Sequence, residues 1–322
     1  MTTPLPGLDL DLWAAASRLR RDYWGRDVFL RGIVEFSNHC AQDCLYCGLR
    51  CGNGALARYR LTEDVVFAAA TAVRDLGLGT VVLQSGEDAA CGPESIAGLI
   101  ARIKTELGLA VTLSLGEHPP ETYALWRAAG ADRYLLKLET LDEDLYAALR
   151  PGRKVAERLR ALETLAELGY ETGSGLIAGL PGEAPGALQR GLEFLAGLRL
   201  DMVSISPFVP APGTPLHKAP ACALPDILNT MAKTRALMPT AHIPVTSALG
   251  LHGDAVRLTA LEVGDVLMPS LTPAAVRGNY AIYAGKNSDA QDPATRAAAM
   301  RQMLLTAGFN LPSGPGSAWR LR

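Results

Sequence analysis

The chain has 322 residues, of which 20% are charged, and its formal net charge is -2. It contains no lysine- or arginine-rich block that could bind a row of phosphates, which argues against a nucleic-acid partner. The N-terminal stretch MTTPLPGLDLDLW lacks a basic segment followed by an apolar one, and no run reaches the roughly 18 apolar residues of a membrane span. These features predict a cytoplasmic protein without membrane contact.

Apolar, β-branched runs alternate along the chain with segments of helical periodicity. A first helix is predicted over residues 10–23. Eight strand runs follow, and they read VFLRGIVEFS, TVVLQS, AVTLSL, RYLLKLE, ETGSGLIAG, DMVSISP, IPVTSAL and DVLMPS. Helices are predicted between and after them, over 62–76, 93–107, 120–129, 142–149, 155–168, 184–198, 224–237 and 254–261.

Strict alternation of strand and helix predicts parallel pairing, and eight such units predict an α/β fold, a (β/α)8 TIM-type barrel, in a single domain. We assign residues 1–28 to an N-terminal helical cap, 29–270 to the barrel, and 271–322 to a C-terminal closing loop, helix and tail. The cap is expected to cover the bottom of the barrel. The tail is rich in glycine and proline and is expected to be loosely held.

Polar residues follow most of the predicted strands, where barrels of this kind carry their functional groups. They are Gln84, Ser85, Gly86, Glu87, Asp88, Ser114, Glu117, Glu139, Thr140, Thr246, Ser247, Thr272, Tyr280 and Tyr283. Each one alone could be a helix cap or a surface group. Together on one rim, they favour a site for a ligand with amine, carboxylate and hydroxyl groups.

Four of the six cysteines lie between residues 40 and 51, and Cys40, Cys44 and Cys47 have the spacing C-x3-C-x2-C. Three thiolates on one loop can hold three irons of a cubane cluster and leave the fourth iron open. The alternatives are a zinc site with Cys51 as the fourth ligand and a fully ligated electron-transfer cluster. Structural zinc favours two separated ligand pairs, so a single twelve-residue loop suits it poorly.

The cysteine loop, its aromatic Tyr46 and the barrel resemble the radical S-adenosylmethionine (SAM) superfamily. More narrowly, the chain resembles the HydE family of [FeFe]-hydrogenase maturases. The motifs that carry this resemblance are EFSNHCAQDCLYCGLR, VVLQSGED, VTLSLGE, GADRYLLKLET, LRP, LGYETGSGLIAGLPG, PFVPAPGTPL and MPSLTP. The resemblance runs from about Trp13 to Tyr283 and implies a radical SAM enzyme with one [4Fe–4S] cluster and SAM as cofactors.

The resemblance also implies a role for individual residues. Cys40, Cys44 and Cys47 would ligate the cluster. The residues implied in SAM binding are Tyr46, Gly86, Glu87, Glu139, Arg158 and Ile177. Those implied in lining the substrate cavity are Ser114, Arg133, Thr246, Ser247, Tyr280 and Tyr283. Arg133, which follows Asp132, could instead be only a salt-bridged rim residue. Thr246 and Ser247 could be ordinary barrel-layer residues, and the two tyrosines could simply pack the closing loop.

Three departures from the family pattern bear on function. Many members carry a second group of three cysteines after the segment that matches YAIYAGK, and this chain has none there, so a single cluster is predicted. The superfamily motif G-x-I-x-G-x-x-E is only approximate, because Glu183 comes one place late, and Ile177 is the better candidate for the adenine contact. Cys51 is outside the usual triad and could be a spare thiol, an adventitious metal ligand, or a mark of kinship with the methylornithine synthase (PylB) group, which resembles the HydE family.

The implied reaction is assembly of the hydrogenase diiron site from a cysteine-bound iron carbonyl cyanide complex. The implied partners are this small organometallic or amino-acid-derived substrate, other maturation proteins, and an electron donor such as ferredoxin or flavodoxin. The alternatives are a PylB-like or biotin-synthase-like enzyme that acts on a small amino-acid-type substrate, and a metal-stabilised scaffold without catalysis.

Overall fold

The computed structural model describes residues 6–288 and 291–322. Positions 1–5 of the predicted cap and 289–290 of the predicted closing loop lie outside this range. The helices are α1 Leu10–Trp24, α2 Glu63–Asp75, α3 Pro93–Arg102, α4 Pro120–Ala128, α5 Glu143–Leu149, α6 Val155–Glu167, α7 Ala187–Gly197, α8 Leu224–Leu237, α9 Asp254–Ala260, α10 Ala274–Arg277 and α11 Pro293–Thr306. A short π-helix over Ile103–Leu107 completes the predicted helix that begins at Pro93.

The strands are β1 Phe29–Leu30, β2 Gly32–Ser37, β3 Thr80–Ser85, β4 Ala110–Ser114, β5 Arg133–Leu135, β6 Glu171–Ala178, β7 Met202–Pro207 and β8 Val266–Leu267. Six of them form one parallel sheet in the order β2-β3-β4-β5-β6-β7, and β1 pairs in parallel with β8. The predicted first strand is therefore divided between the two sheets. The α/β barrel predicted from the sequence is confirmed.

Isolated bridges join the two sheets at the place where the seventh strand was predicted. Met202 bridges to His242 and Pro244 to Val266, and, after β8, Ser270 bridges to Ile33, all in the parallel sense. The run IPVTSAL therefore supplies bridges and no regular strand, and the prediction of a strand there was wrong. Pro244 explains part of this, because proline has no N–H to donate to a ladder.

The strands are buried on both faces, as parallel sheets covered by helices require. On β2, for example, Val34 and Phe36 pack outward into the main hydrophobic core, whereas Ile33 lines a cavity inside the barrel. Every residue of β6 is buried. Because side chains alternate along a strand, the inward positions form layers along the barrel axis.

The C-terminal tail plugs the bottom layer of the barrel. Arg133 Nη2 donates to the carbonyl of Pro315 at 2.9 Å, and Arg31 Nη2 donates to that of Gly316 at 3.0 Å. Arg133 Nε also donates to Glu171 at 2.9 Å. Burial lowers the pKa of Arg31 to about 9. The expectation of a loosely held tail was wrong, because its carbonyls are the acceptors that these buried guanidiniums need.

Helix α1 packs against α8 and meets the tail at the bottom of the barrel. The ring of Trp24, at the end of α1, lies 5.5 Å from that of Trp319 and 4.3 Å from that of His242. The tail, rather than α1 alone, therefore covers the bottom. Among the described residues, no helix is both long and apolar enough to cross a bilayer.

The turn that follows β6 contains Glu183, the glutamate that comes one place late in the superfamily motif. Burial, and then the Asp142 carboxylate, raise the pKa of Glu183 to about 7. This carboxyl group is thus more easily protonated in the folded chain than in the unfolded one. The ionised carboxylate of Glu183 therefore lowers the free energy of unfolding.

Removal of residues 312–322 is expected to lower the free energy of unfolding by about 3–5 kcal/mol, because Arg31 and Arg133 lose buried acceptors. Urea denaturation followed by circular dichroism measures this loss. The control is Leu321→Ala, at a side chain that is 56% exposed, and a change within about 0.5 kcal/mol is expected there. A truncated chain as stable as the full one would show that the tail plugs nothing.

Glu183→Gln is expected to stabilise the protein at pH 8 and to leave its stability unchanged at pH 4. A raised folded pKa favours the protonated group, so its contribution is complete below the unfolded pKa of about 4.3 and is lost as the pH rises through about 7. After allowance for solvent screening of this half-buried group, the gain at pH 8 is about 1 kcal/mol. Denaturation curves at the two pH values test it, and equal gains at both would contradict it.

Candidate functional site

A cavity of about 320 Å³ opens at the C-terminal ends of the strands, inside the barrel. Nine of the residues to which the resemblance gives a role in cluster, SAM or substrate binding line it. They are Tyr46, Cys47, Ser114, Glu139, Arg158, Ile177, Thr246, Ser247 and Tyr283. The structure thus brings together residues from both ends of the sequence, in one enclosure beside the cysteine loop.

The cysteine loop leaves the end of β2 and turns back tightly, with Cys47 N–H donating to the Cys44 carbonyl at 3.1 Å. The thiols of Cys40, Cys44 and Cys47 are free and partly buried. Gly86 lies against this loop so closely that a Cβ there would be 2.3 Å from the His39 carbonyl oxygen. A side chain at Gly86 would therefore push the loop away from the end of β3.

The donor set of the loop suits an iron–sulfur cluster. Its three cysteine thiols are the ligands that such clusters use. Cys51 is exposed, and its thiol hydrogen-bonds the Asp43 carboxylate. Arg150 Nε donates to Cys44 Sγ at 3.4 Å, which suits a thiolate ligand.

Two carboxylates and a group of arginines connect the cavity to the cysteine loop. Arg158 Nε donates to Glu117 at 2.8 Å, and Arg150 Nη1 donates to the same oxygen at 3.2 Å. Glu87 lies 3.6 Å from Arg158 and accepts a hydrogen bond from Gln42, in the cysteine loop, at 2.6 Å. Burial opposes the charge of Glu117, but the Arg158 and Arg150 guanidiniums outweigh it and lower its pKa. The group therefore stays ionised and fixes the orientation of Arg158.

Glu139 has a backbone conformation that is unusual for a residue with a side chain, with φ at +68°. Hydrogen bonds to β6 hold it there: its N–H donates to Gly175 at 3.1 Å, and its carbonyl accepts from Ile177 at 2.8 Å. Lys137 Nζ lies 3.3 Å from Glu139 Oε2, which accepts no hydrogen bond of good geometry. Strain of this kind is typical of functional sites, and the oxygen has capacity for a ligand donor.

One wall of the cavity is rich in hydroxyl groups. The Ser247 hydroxyl and the Tyr283 hydroxyl are 2.5 Å apart, and Gln84 Nε2 donates to Ser114 at 3.3 Å. Thr246 Oγ1 is buried without a hydrogen-bond partner. Tyr280 is almost fully buried and does not line the cavity. This wall offers both donors and acceptors to a polar ligand.

Arg133 does not lie in this cavity. It begins β5, so its side chain lies at the bottom of the barrel, where it pairs with Glu171 and donates to Thr80 at 3.2 Å. Its side chain is fully buried there. The interpretation of Arg133 as a substrate contact is therefore corrected, and so is the alternative of a rim residue: Arg133 is a buried residue of the plug, ion-paired with Glu171.

Sequence reasoning missed several charged residues close to the cavity, among them Lys137, Lys286 and Glu35. Lys137 and Lys286 line it, and the buried carboxylate of Glu35 pairs with Lys286 at 2.9 Å. Lys137 could have been found, because it lies two residues before Glu139 on the same predicted strand and so faces the same side. Lys286 had no such signal, since it lies in an irregular segment.

Comparison with known proteins agrees with this geometry. Residues 34–211 match the Radical SAM superfamily. The HydE subunit of the [FeFe] hydrogenase maturase from Thermotoga maritima is 44% identical over 281 residues, which cover 87% of this chain and 80% of that one. The 3-methylornithine synthase of Methanosarcina acetivorans is 29% identical over 267 residues, 81% of this chain and 74% of that one.

Solved structures give the same result for the fold. The crystal structure of methylornithine synthase (PylB) superposes with a TM-score of 0.83 at 26% identity and covers 94% of this chain and 88% of that one. The hydrogenase maturase HydG superposes with a TM-score of 0.80 at 20% identity, covers 99% of this chain and 72% of that one, and supports the fold alone. From its cysteine loop, its barrel and this degree of identity, the chain belongs to the radical SAM superfamily and, within it, to the family of the HydE maturase.

Proposed function

We propose that this enzyme takes part in assembly of the diiron site of [FeFe]-hydrogenase, with a cysteine-bound iron carbonyl cyanide complex as substrate. The observation that carries the proposal is a cavity that reaches from Cys47 and Arg158 to a hydroxyl-rich wall, in a chain 44% identical to a HydE maturase. The cavity volume of about 320 Å³ suits a small molecule.

The residues present fit one [4Fe–4S] cluster and SAM. Cys40, Cys44 and Cys47 would hold the cluster, and Glu87 and Arg158 would face the amine and carboxylate of SAM, the latter through the planar fork of a guanidinium. The remaining proposed SAM contacts are Tyr46, Gly86, Glu139 and Ile177. When bound, this pair supplies a 5′-deoxyadenosyl radical.

The chain's own residues orient the substrate and exclude water from it. The tail plug closes the bottom of the barrel, while Glu117 and Glu87 hold Arg158 in a fixed place. A radical reaction depends on a reacting atom held close to the radical carbon, so fixed walls contribute more than a general base would. The proposed substrate contacts are Ser114, Thr246, Ser247 and Tyr283, with Tyr280 behind them.

We further propose that the enzyme works with one cluster. Besides the loop, its cysteines are Cys91 and Cys222, which leaves no second triad. Burial raises the pKa of both thiols to about 11, so neither is poised to be a thiolate. An external donor such as ferredoxin or flavodoxin would supply electrons, and reduced thiols together with that donor favour a cytoplasmic location. Other maturation proteins would supply the substrate and receive the product.

The second candidate is methylornithine formation. It is favoured by the superposition on PylB and by Cys51, but the sequence identity to 3-methylornithine synthase is 29%, against 44% for HydE. A small amino-acid substrate would use the same wall of hydroxyl groups. The two candidates differ in product, which makes them separable.

Substitution of Cys47 by alanine is expected to abolish cluster binding, whereas Cys51→Ala is expected to leave about four irons per chain, as in the unchanged protein. Iron and sulfide analysis after anaerobic reconstitution measures this. Low-temperature EPR of the reduced Cys51→Ala protein should give one signal that shifts on addition of SAM. If Cys51→Ala loses iron as Cys47→Ala does, the site is fully ligated and its open position is disproved.

The proposed function is tested by in-vitro maturation of apo-hydrogenase in the presence of the other maturation proteins. Hydrogen evolution that depends on this chain, and that is lost in Cys47→Ala, is the expected result. A parallel reaction with free amino acids is analysed for 3-methylornithine by mass spectrometry. That product without hydrogenase activation would replace the first candidate by the second.

A further inference from the structure

The carboxylate of Glu35 is fully buried inside the barrel, on the strand that leads into the cysteine loop. Neither the proposed SAM contacts nor the proposed substrate contacts include it. Burial by itself would raise its pKa, but the Lys286 ammonium and the hydroxyls of Ser270 and Thr272 outweigh burial and lower it. The Glu35 carboxylate therefore stays ionised in the barrel interior, where a buried charge must be stabilised by partners.

Four side chains contact this one carboxylate. Lys286 Nζ is 2.9 Å from Oε1, and Asn287 Nδ2 donates to the same oxygen at 3.2 Å. Ser270 Oγ donates to Oε2 at 2.6 Å, and Thr272 Oγ1 donates to it as well. The backbone N–H of Glu35 in turn donates to Thr272 Oγ1 at 2.7 Å.

These four contacts lie at the two ends of one segment. Residues 273–285, which we call the roof segment, begin directly after Thr272 and end directly before Lys286. Within them, the structure has the short helix α10 and otherwise irregular backbone. Glu35 thus joins the start of the roof segment to its end, and both to β2.

The roof segment contacts the cysteine loop and the cavity. The Ile282 carbonyl accepts from Gly48 N–H at 3.0 Å, and a Cβ at Gly48 would be 1.9 Å from the Ala281 carbonyl oxygen. Asn38 Nδ2 donates to the Asn279 carbonyl at 2.8 Å. Ile282 and Tyr283 line the cavity. A shift of the roof segment would therefore move the loop that carries Cys47 and one wall of the cavity together.

We propose that Glu35 is a positioning residue that fastens both ends of the roof segment, and that this fastening keeps the cysteine loop in register with the substrate cavity. The segment has little regular structure of its own, so its position depends on contacts of this kind, and the Glu35 carboxylate is the contact that holds both of its ends. The loss of the carboxylate charge would leave the Lys286 ammonium, 7% exposed, buried without its partner. The consequence for catalysis rests on the proposed function, whereas the fastening itself does not.

Hydrogen exchange of the apo protein, read by mass spectrometry, tests the fastening without cluster or substrate. Glu35→Gln is expected to speed exchange in peptides within 279–285 by at least about tenfold. The free-energy cost of leaving the Lys286 ammonium buried without its partner exceeds the free-energy change that corresponds to a tenfold shift in the opening equilibrium. The matched control is Glu171→Gln, another buried carboxylate paired with a basic side chain. It is expected to speed exchange in the tail and to leave the roof segment unchanged.

A second variant covers the case in which Glu35→Gln does not fold. Thr272→Val removes a single buried hydroxyl of almost the same volume and is expected to speed exchange in the same peptides by a smaller factor. Unchanged exchange of the roof segment in the folded variant, or the same increase there in Glu171→Gln, would overturn the proposal.

The catalytic consequence is measured on the reconstituted protein with dithionite and SAM alone. Glu35→Gln is expected to lower the yield of 5′-deoxyadenosine severalfold and to lower the SAM affinity by a clearly smaller factor, since the carboxylate itself touches none of the proposed SAM contacts. A merely structural loss would lower both in proportion, as Glu171→Gln is expected to do, and that pattern in Glu35→Gln would overturn the positioning role. If the unchanged protein produced no 5′-deoxyadenosine, the proposed function would fail while the exchange result would still decide the fastening.

Discussion

The pairing of buried charge is the constraint on which this barrel depends. Its interior contains ionised groups in layers, and each must find a partner because water does not reach it. At the bottom, Arg31 and Arg133 find the carbonyls of the tail and the Glu171 carboxylate. At the top, the Glu35 carboxylate pairs with the Lys286 ammonium. Lys286 also lines the cavity, whereas Arg31 and Arg133 lie below it in the bottom layer.

The polar groups of the cavity differ in how completely they are satisfied. Arg158 is held by Glu117 and by the Lys137 carbonyl, at 2.8 Å and 2.6 Å. In contrast, Thr246 Oγ1 and Glu139 Oε2 accept or donate no hydrogen bond of good geometry. A buried polar atom without a partner costs free energy, so its presence beside fixed cations indicates a place prepared for a ligand. Within the cavity, the geometry thus separates the groups that hold Arg158 in place from the groups that have capacity for a ligand.

The sequence predicted what depends on local pattern. Strand and helix periodicity predicted the barrel, and the cysteine spacing with its neighbouring motifs predicted the family. Prediction from the sequence failed where contacts between distant parts of the chain determine the position of a residue. Arg133 was assigned to the cavity because its motif resembles the family's, yet its position at the start of β5 puts it in the bottom layer. The tail was judged by its glycine and proline content, which says nothing about the buried guanidiniums that bind its carbonyls. Glu35 was overlooked because its partners lie more than two hundred residues away, and no periodicity connects them.

The tail plug has a consequence for the order in which the barrel forms. Every strand of the two sheets precedes the segment that accepts the Arg31 and Arg133 hydrogen bonds. During synthesis the strands therefore emerge while the acceptors of these two guanidiniums have yet to be made, and a dry, fully packed bottom layer cannot form at that stage. Consolidation of the barrel interior is thus a late event, coupled to arrival of the tail. A nascent chain halted after α11 would have its helices and strands but an open, hydrated bottom, and it would be a substrate for chaperones rather than a finished enzyme.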